Sequence, residues 1–146
     1  MTGTSTILLV EDNPDDIELI EYAFEKAGID RPLFVVQDGD AAVEYLGSNH
    51  DPAYKLQHPL PRLILLDIKL PKRSGFDVLS FVRHQDRTKH IPVVMLTSSN
   101  QSGDIKRAYE LGANSYLVKP VRQDALLEMV RSLNMYWITL NQGPYQ

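Results

Sequence analysis

Five short apolar segments constrain the fold of this 146-residue chain more than any other feature of its sequence. Each segment is too short to be a helix, and each is continuously apolar instead of alternating between apolar and polar residues. Continuous apolarity over four or five residues is typical of parallel strands that are covered on both faces. The sequence therefore predicts five buried strands, the last of them weaker than the others: Thr6–Val10, Leu33–Val36, Leu63–Leu66, Val93–Leu96 and Tyr116–Val118.

Helical patterns follow each of these strands. The first begins at Asn13-Pro14, where a capping side chain precedes a proline, and it ends at Gly28. The other four are predicted at Asp40–Gly47, Gly75–Arg87, Ser102–Leu111 and Arg122–Thr139. Five strand-helix units predict an α/β fold of the flavodoxin-like (βα)5 type, a three-layer sandwich whose parallel sheet has the order 2-1-3-4-5. The stretch Ser48–Pro61 contains three prolines and is predicted to be a long loop, to which we assign no role.

Length and apolar patterning limit the chain to one domain, which we expect to span residues 5–141. After Lys119-Pro120 only 26 residues remain, enough for the last helix and a tail, so we expect no attached output domain. Neither a membrane-spanning run nor a secretory signal is present. The sequence therefore predicts a soluble, cytoplasmic protein with no membrane partner.

Charge and cysteine content argue against several functional classes. The net charge is −4, the pI is about 5.5, and residues 1–51 carry twelve acids against Lys26 and Arg31, so we expect no nucleic-acid partner. The absence of cysteine excludes thiolate catalysis and Cys-based metal sites. None of the four histidines has metal-ligand spacing, and we expect all four on the surface. The acids of the first helix are interpreted as its solvated side: Asp15, Asp16, Glu18, Glu21 and Glu25.

Polar side chains follow the predicted strands at the point where each strand ends. In open parallel sheets, ligands bind beyond the carboxyl ends of the strands. The residues at these ends are Glu11-Asp12, Asp67, Thr97-Ser98-Ser99 and Lys119-Pro120. One such residue is commonly a helix cap or a turn former, but four polar edges together predict a site.

The residue types at these strand ends indicate phosphoryl chemistry. Three crowded carboxylates need positive charge, which Lys119 and a hard divalent cation such as Mg²⁺ or Mn²⁺ would supply. The cation and Lys119 would neutralise a transferring phosphoryl group, and the Thr97 hydroxyl would donate to one of its oxygens. Asp67 is then the expected nucleophile.

Four segments resemble the signatures of two-component response-regulator receiver domains, the CheY-like family. They are LLVED at 8–12, LILLD at 63–67, VVMLTSS at 93–99 and YLVKP at 116–120, and the resemblance extends over about Ser5 to Leu140. It implies that Asp67 is the phosphoacceptor. It also implies that Asp12 binds Mg²⁺ directly, that Glu11 acts mainly through a metal-bound water, and that Lys69 lends its backbone carbonyl to the metal.

The same resemblance implies roles for the fourth and fifth strand ends. Thr97 and Lys119 would contact the phosphoryl group, and the Lys119-Pro120 bond would be cis. Tyr116 lies at the aromatic switch position, where its ring would turn inward as phosphorylation draws the Thr97 hydroxyl away. The Lys69 side chain would either shield the acyl phosphate from water or point into solvent.

The expected function is that of a stand-alone switch, not an enzyme. Asp67 would take a phosphoryl group from a sensor histidine kinase or a phosphotransfer protein, with at most self-phosphorylation from small donors and slow self-dephosphorylation. One alternative is a phosphorelay intermediate that passes the group to a histidine phosphotransfer protein. Others are an aspartyl-nucleophile phosphohydrolase and a receiver that only binds.

Two features bear on the partners. The long proline-containing loop and the Tyr-Trp tail are similar to those of single-domain responders paired with bacteriophytochromes, which would make the kinase a bacteriophytochrome. The end of the last helix is more apolar than one inward face requires, which leaves open a homodimer through the last helix and the fifth strand or a surface for a downstream protein target. The residues concerned are Met135, Tyr136, Trp137, Ile138 and Leu140.

Overall fold

Five parallel strands form one sheet in the order β2-β1-β3-β4-β5. The computed structural model describes residues 6–29, 32–47 and 52–144, apart from the side chains of Lys55 and Gln57. The strands are β1 (Ile7–Val10), β2 (Leu33–Val36), β3 (Leu63–Leu66), β4 (Val93–Thr97) and β5 (Ser115–Val118). The predicted fold class and strand order are confirmed.

Helices cover both faces of the sheet and complete the three layers. The helices are α1 (Pro14–Lys26), α2 (Gly39–Leu46), α3 (Pro52–Gln57), α4 (Gly75–His84), α5 (Ser102–Glu110) and α6 (Gln123–Leu133). Successive strand residues alternate between two cores: Leu8 and Val10 pack with residues of α2, α4 and α5, whereas Ile7 and Leu9 pack with residues of α1 and α6. The central strands β1, β3 and β4 are buried throughout, as their continuous apolarity predicts.

The predicted 48–61 loop contains a short helix, α3, which the sequence analysis missed. His58, which follows α3, is half-buried, contrary to the expectation of a surface histidine. Its ring stacks on Tyr54 with centroids 4.0 Å apart and meets Tyr45 edge-on at 5.1 Å. The Tyr45 hydroxyl donates a hydrogen bond to Pro59 O at 3.0 Å. The first part of the predicted loop, with His50, lies outside the described residues.

Helix α4 ends at His84, three residues before the predicted end at Arg87. The following residue, Gln85, has an extended backbone, and its side-chain amide donates to Leu46 O at 2.8 Å. Thr88 is fully buried, and its hydroxyl donates to Val82 O at 2.8 Å. The Thr88 hydroxyl satisfies the Val82 carbonyl that the next turn of α4 would otherwise use, and the Gln85 side chain ties the end of α4 to the last residue of α2.

The last helix changes period near its end. After α6 the chain continues as a π-helical segment, Asn134–Leu140. The helical spacing of the apolar residues predicts one inward face formed by Leu126, Val130, Leu133 and Trp137. The first three are buried, but the next buried residue is Ile138, and Trp137 is half-buried. Ile138 lies five positions after Leu133, which matches the i to i+5 repeat of a π-helix.

Within the described ranges, none of the helices combines the length and the apolar character that crossing a bilayer would require.

Candidate functional site

The carboxyl ends of four strands bring the predicted site residues together. Backbone hydrogen bonds continue one residue past the strands: Asp67 N donates to Val10 O at 3.1 Å, and Lys119 N donates to Thr97 O at 2.8 Å. Glu11, Asp67 and Thr97 are buried, with exposed fractions of 1%, 7% and 2%. Burial of polar side chains at a sheet edge is costly unless they have partners, so their arrangement determines what the site can hold.

Three carboxylates form a cluster suited to a divalent cation. Glu11, Asp12 and Asp67 each offer an oxygen, and these oxygens lie within 4.8 Å of one another. The buried Glu11 Oε1 receives no aligned hydrogen bond from any donor in the part of the chain that the structure describes. Burial raises the pKa of the Glu11 carboxyl and outweighs the opposing effect of Lys119, and the charge of Asp67 raises it further. A set of three carboxylates that offers only oxygen ligands fits a hard cation such as Mg²⁺ or Mn²⁺.

Lys119 is the positive charge of the site. Its Nζ lies 2.5 Å from Glu11 Oε1, 3.1 Å from Asp67 Oδ2 and 2.9 Å from Asp16 Oδ2. Burial alone would lower the pKa of Lys119, but the surrounding carboxylates reverse this effect and the pKa is raised above the ordinary lysine value. Lys119 is therefore a permanent cation in contact with the oxygen of Asp67.

Asp16 is a residue that the sequence analysis missed. It was assigned to the solvated side of the first helix, but its carboxylate is half-buried against Lys119. The Asn13 side chain accepts hydrogen bonds from the backbone of Asp15 at 2.9 Å and of Asp16 at 3.2 Å, which fixes the first turn of α1 over the end of β1. The one available signal was the position of Asp16 in that first turn, directly after the acidic strand end.

Thr97 and Tyr116 meet at Ser99. Ser99 N donates to Thr97 Oγ1 at 3.4 Å, and the Tyr116 hydroxyl donates to Ser99 O at 2.9 Å. The Ser99 hydroxyl in turn donates to Asp104 Oδ2 on α5 at 2.6 Å. Burial raises the pKa of Tyr116, as do the charges of Asp104 and Asp67. Ser99 thus links a hydroxyl at the carboxylate cluster to an aromatic ring on β5 and to a helix.

Two further predictions concern Lys69 and Pro120. Lys69 lies two residues after Asp67, and its side chain is exposed, which agrees with the interpretation that it points into solvent. The predicted cis bond between Lys119 and Pro120 is wrong, because no peptide bond within residues 6–29, 32–47 and 52–144 is cis. The two isomers before proline differ by only about 0.5–1 kcal/mol, so sequence alone does not fix the choice.

Comparisons with known proteins agree with this geometry. The family model for the response regulator receiver domain matches residues 7–131. The chain is 41% identical over 138 residues to the probable methanogenesis regulatory protein FilR2 of Methanothrix harundinacea, which covers 94% of this chain and 86% of FilR2. It is 38% identical over 132 residues to the response regulator Rcp1 of Synechocystis, which covers 90% of this chain and 88% of Rcp1.

Solved structures show the same similarity over almost the whole chain. The phosphorylated cyanobacterial phytochrome response regulator RcpA aligns with a TM-score of 0.86 at 34% identity, covering 97% of this chain and 99% of RcpA. The Mn²⁺-bound form of Rcp1 has a TM-score of 0.83 at 36% identity, covering 96% and 99%. The bacteriophytochrome response regulator AtBRR has a TM-score of 0.72 at 42% identity, covering 95% and 99%. With its strand order, its acidic strand ends and these matches, the chain belongs to the response regulator receiver domain family.

Proposed function

We propose that this receiver domain accepts a phosphoryl group on Asp67 and responds by changing a protein-interaction surface. The observation that carries the proposal is the contact of Lys119 with Asp67 Oδ2 at 3.1 Å, next to a cluster of three carboxylates. Asp67 is 7% exposed, so one carboxylate oxygen is held in a fixed position at the edge of the sheet. A fixed nucleophile beside a permanent cation is the arrangement that transfer of a phosphoryl group requires.

The transfer step is a displacement at phosphorus. An Asp67 oxygen forms the new bond to phosphorus, and the bond to the leaving group breaks with its electron pair remaining on that group, the histidine nitrogen of a kinase or the acetate of acetyl phosphate. Lys119 neutralises the charge on the transferring group, and the Thr97 hydroxyl donates to one of its oxygens. A Mg²⁺ or Mn²⁺ ion held by Asp12, Asp67, the Lys69 carbonyl and, through water, Glu11 would add further charge neutralisation.

The response is assigned to Thr97 and Tyr116. Rotation of the Thr97 hydroxyl toward the phosphoryl group would move its oxygen away from Ser99 N, which now donates to it at 3.4 Å. Because the same residue accepts from Tyr116, a shift of Ser99 reaches the ring on β5. This biases the surface formed by α5 and β5 between two states.

The partners follow from the chemistry and from the similar proteins. The phosphoryl donor is a phosphohistidine on a sensor kinase or a phosphotransfer protein, and the names of RcpA and AtBRR support a phytochrome-type kinase. The signal leaves through a downstream protein target. A homodimer through the last helix and β5 stays a prediction, supported by the exposure of Met135, Tyr136 and Leu140. The cytoplasm, where such kinases present their phosphohistidine, is the proposed location.

Incubation with acetyl phosphate and Mg²⁺ tests the proposal. Intact-mass spectrometry should detect one added phosphoryl group on the wild-type chain and none on Asp67→Asn, which keeps the side-chain shape but removes the nucleophile. Asp15→Asn, a change of equal charge at an exposed position of α1, should be labelled like wild type. Labelling of Asp67→Asn would assign the acceptor to another residue.

Two further outcomes separate the alternatives. Transfer of the label from the phosphorylated chain to a histidine phosphotransfer protein would make the chain a relay intermediate. Steady release of phosphate from simple monoesters over many turnovers would make it a phosphohydrolase. Self-phosphorylation from the small donor followed by slow loss of the label is the result expected of a switch.

A further inference from the structure

The ammonium group of Lys119 is shared among three carboxylates, and Asp16 is the outermost of them. The side-chain exposures are 1% for Glu11, 9% for Asp67 and 33% for Asp16. Lys119 itself is only 12% exposed, so its position is set by these contacts and not by solvent. A lysine ammonium has three N–H donors, and here a separate carboxylate lies within 2.5 to 3.1 Å for each of them.

Asp16 holds its position through the fold of the first turn of α1. Its backbone N–H donates to the Asn13 side chain at 3.2 Å. Pro14, two residues before it, is the first residue of the helix. A carboxylate in this turn is also stabilised by the helix dipole. The contact with Lys119 joins residues that are 103 positions apart, the amino end of α1 and the end of β5.

The direction of this contact matters for the transfer step. A phosphoryl donor approaches Asp67 from solvent, so the charge that develops on the transferring group lies on the outer side of the carboxylate cluster. Asp16 pulls the ammonium toward that side. Without Asp16, the remaining partners are the nearly inaccessible Glu11 at 2.5 Å and Asp67, and the ammonium would settle inward, away from the incoming oxygens.

We propose that Asp16 is a positioning residue that holds the Lys119 ammonium on the outer side of the site, where it meets the transferring phosphoryl group. The inference rests on the proposed function and assigns Asp16 no contact with the phosphoryl group. Because the effect is exerted on the charge that develops during transfer, it should lower the maximal rate of phosphorylation and leave the half-saturating donor concentration nearly unchanged.

The experiment measures initial rates of labelling over a range of acetyl phosphate concentrations at saturating Mg²⁺. Asp16→Asn removes the charge with almost no change of shape and should lower the maximal rate by about fivefold or more. Asp15→Asn, the matched control in the same helical turn, should stay within about twofold of wild type. Asp16→Ser repeats the test with a residue that is favoured at helix starts, and it should show the same loss.

The outcomes are distinct. Equal maximal rates for Asp16→Asn and Asp15→Asn, or a change confined to the half-saturating concentration, would overturn the positioning role. Thermal unfolding of each variant shows whether it is folded, and a loss of rate in both Asp16 variants at unchanged unfolding temperature supports the role. Absence of labelling in the wild type would overturn the proposed function itself, whereas a labelled wild type with an unaffected Asp16→Asn overturns this inference alone.

Discussion

At the scale of single residues, Ser99 connects the chemistry to the surface. Its N–H, carbonyl and hydroxyl are bonded to Thr97, Tyr116 and Asp104 respectively. The bond to Thr97 is the longest of the three at 3.4 Å, so it is the one that breaks at least cost when the Thr97 hydroxyl rotates toward a phosphoryl oxygen. Under the proposed function, we therefore expect a change at Thr97 to reach the ring on β5 and the start of α5 through Ser99.

Thr97→Val tests this connection because it removes the hydroxyl and keeps the buried, branched shape. We expect the variant to be phosphorylated but to lose the structural response at Ser99 and Tyr116. Hydrogen exchange of residues 98–109, measured before and after phosphorylation, should change in wild type and not in Thr97→Val. Thr97→Ser, which keeps the hydroxyl, should respond like wild type, and a normal response in Thr97→Val would discredit the switch.

Sequence reasoning located the residues at strand ends but not those on helices. Glu11, Asp12, Asp67, Thr97 and Lys119 were found because the carboxyl ends of parallel strands meet at one edge. Asp16 was missed because an acidic residue on an amphipathic helix is most often solvated. Its partner is 103 positions away, a separation that no local pattern registers.

At the scale of elements, the turn from β3 to α4 is held close to Asp67. Gly75 N donates to Ile68 O at 2.7 Å, and Ile68 N donates to Asp67 Oδ1 at 2.7 Å. A Cβ at position 75 would overlap the carbonyl oxygen of Asp67. The first residue of α4 therefore needs to be glycine for the backbone of Asp67 to keep its place.

Gly75→Ala should consequently lower the free energy of unfolding by about 2 kcal/mol, because the added methyl group forces the Asp67 backbone to move. It should also slow labelling by acetyl phosphate. Gly103→Ala on α5 is the matched control, since a Cβ there has no neighbour within 4 Å. Urea unfolding of both variants measures the free energy of unfolding. Equal values would show that the turn accommodates the added methyl group without loss of stability.

Two elements, helix α3 and the π-helical segment, were not predicted because their local sequence patterns are unusual. Helix α3 is six residues long and lies in a proline-containing stretch; proline predicts a loop there, but it is also favoured at the first position of a helix, as at Pro52. The π-helical segment could not be found either, since an apolar pattern with a period of 3.6 places Trp137 inward where the structure places Ile138. Tertiary packing of the last helix determines that change of period.

At the scale of the whole molecule, the fold itself was predictable. Alternating apolar runs and helical patterns define a parallel sheet, and right-handed crossovers leave few strand orders to consider. The clustering of charged side chains at the site is harder to predict, because these residues are far apart in the sequence. Four carboxylates, those of Glu11, Asp12, Asp16 and Asp67, lie at this edge of the sheet, and Lys119 contacts all of them except Asp12. Assembly of the sheet therefore concentrates like charge that a bound cation would offset.

Binding of Mg²⁺ should therefore raise the stability of the entire domain. At a concentration about 100 times its Kd, a ligand that binds only the folded state contributes about 2.7 kcal/mol, equivalent to roughly 5–15 °C in Tm for a domain of this size. Asp12→Asn should melt at a higher temperature than wild type in EDTA, because one crowded charge is gone, and it should lose most of the response to Mg²⁺.

Calorimetry with and without Mg²⁺ measures both effects. Asp15→Asn removes a charge from an exposed position and should keep the full Mg²⁺ response. An equal rise in Tm for Asp12→Asn and wild type would take Asp12 out of the cation site.

The assembly of one pocket from four strand ends has a consequence for nascent chains. Glu11 and Lys119 are more than a hundred positions apart, and they come into contact only once β1, β3, β4 and β5 are aligned. A copy that is still being synthesised, or that has lost its last strand to a protease, has an aspartate but no ammonium beside it. Under the proposed function, we therefore expect incomplete copies to accept no phosphoryl group, so that only a fully folded chain responds.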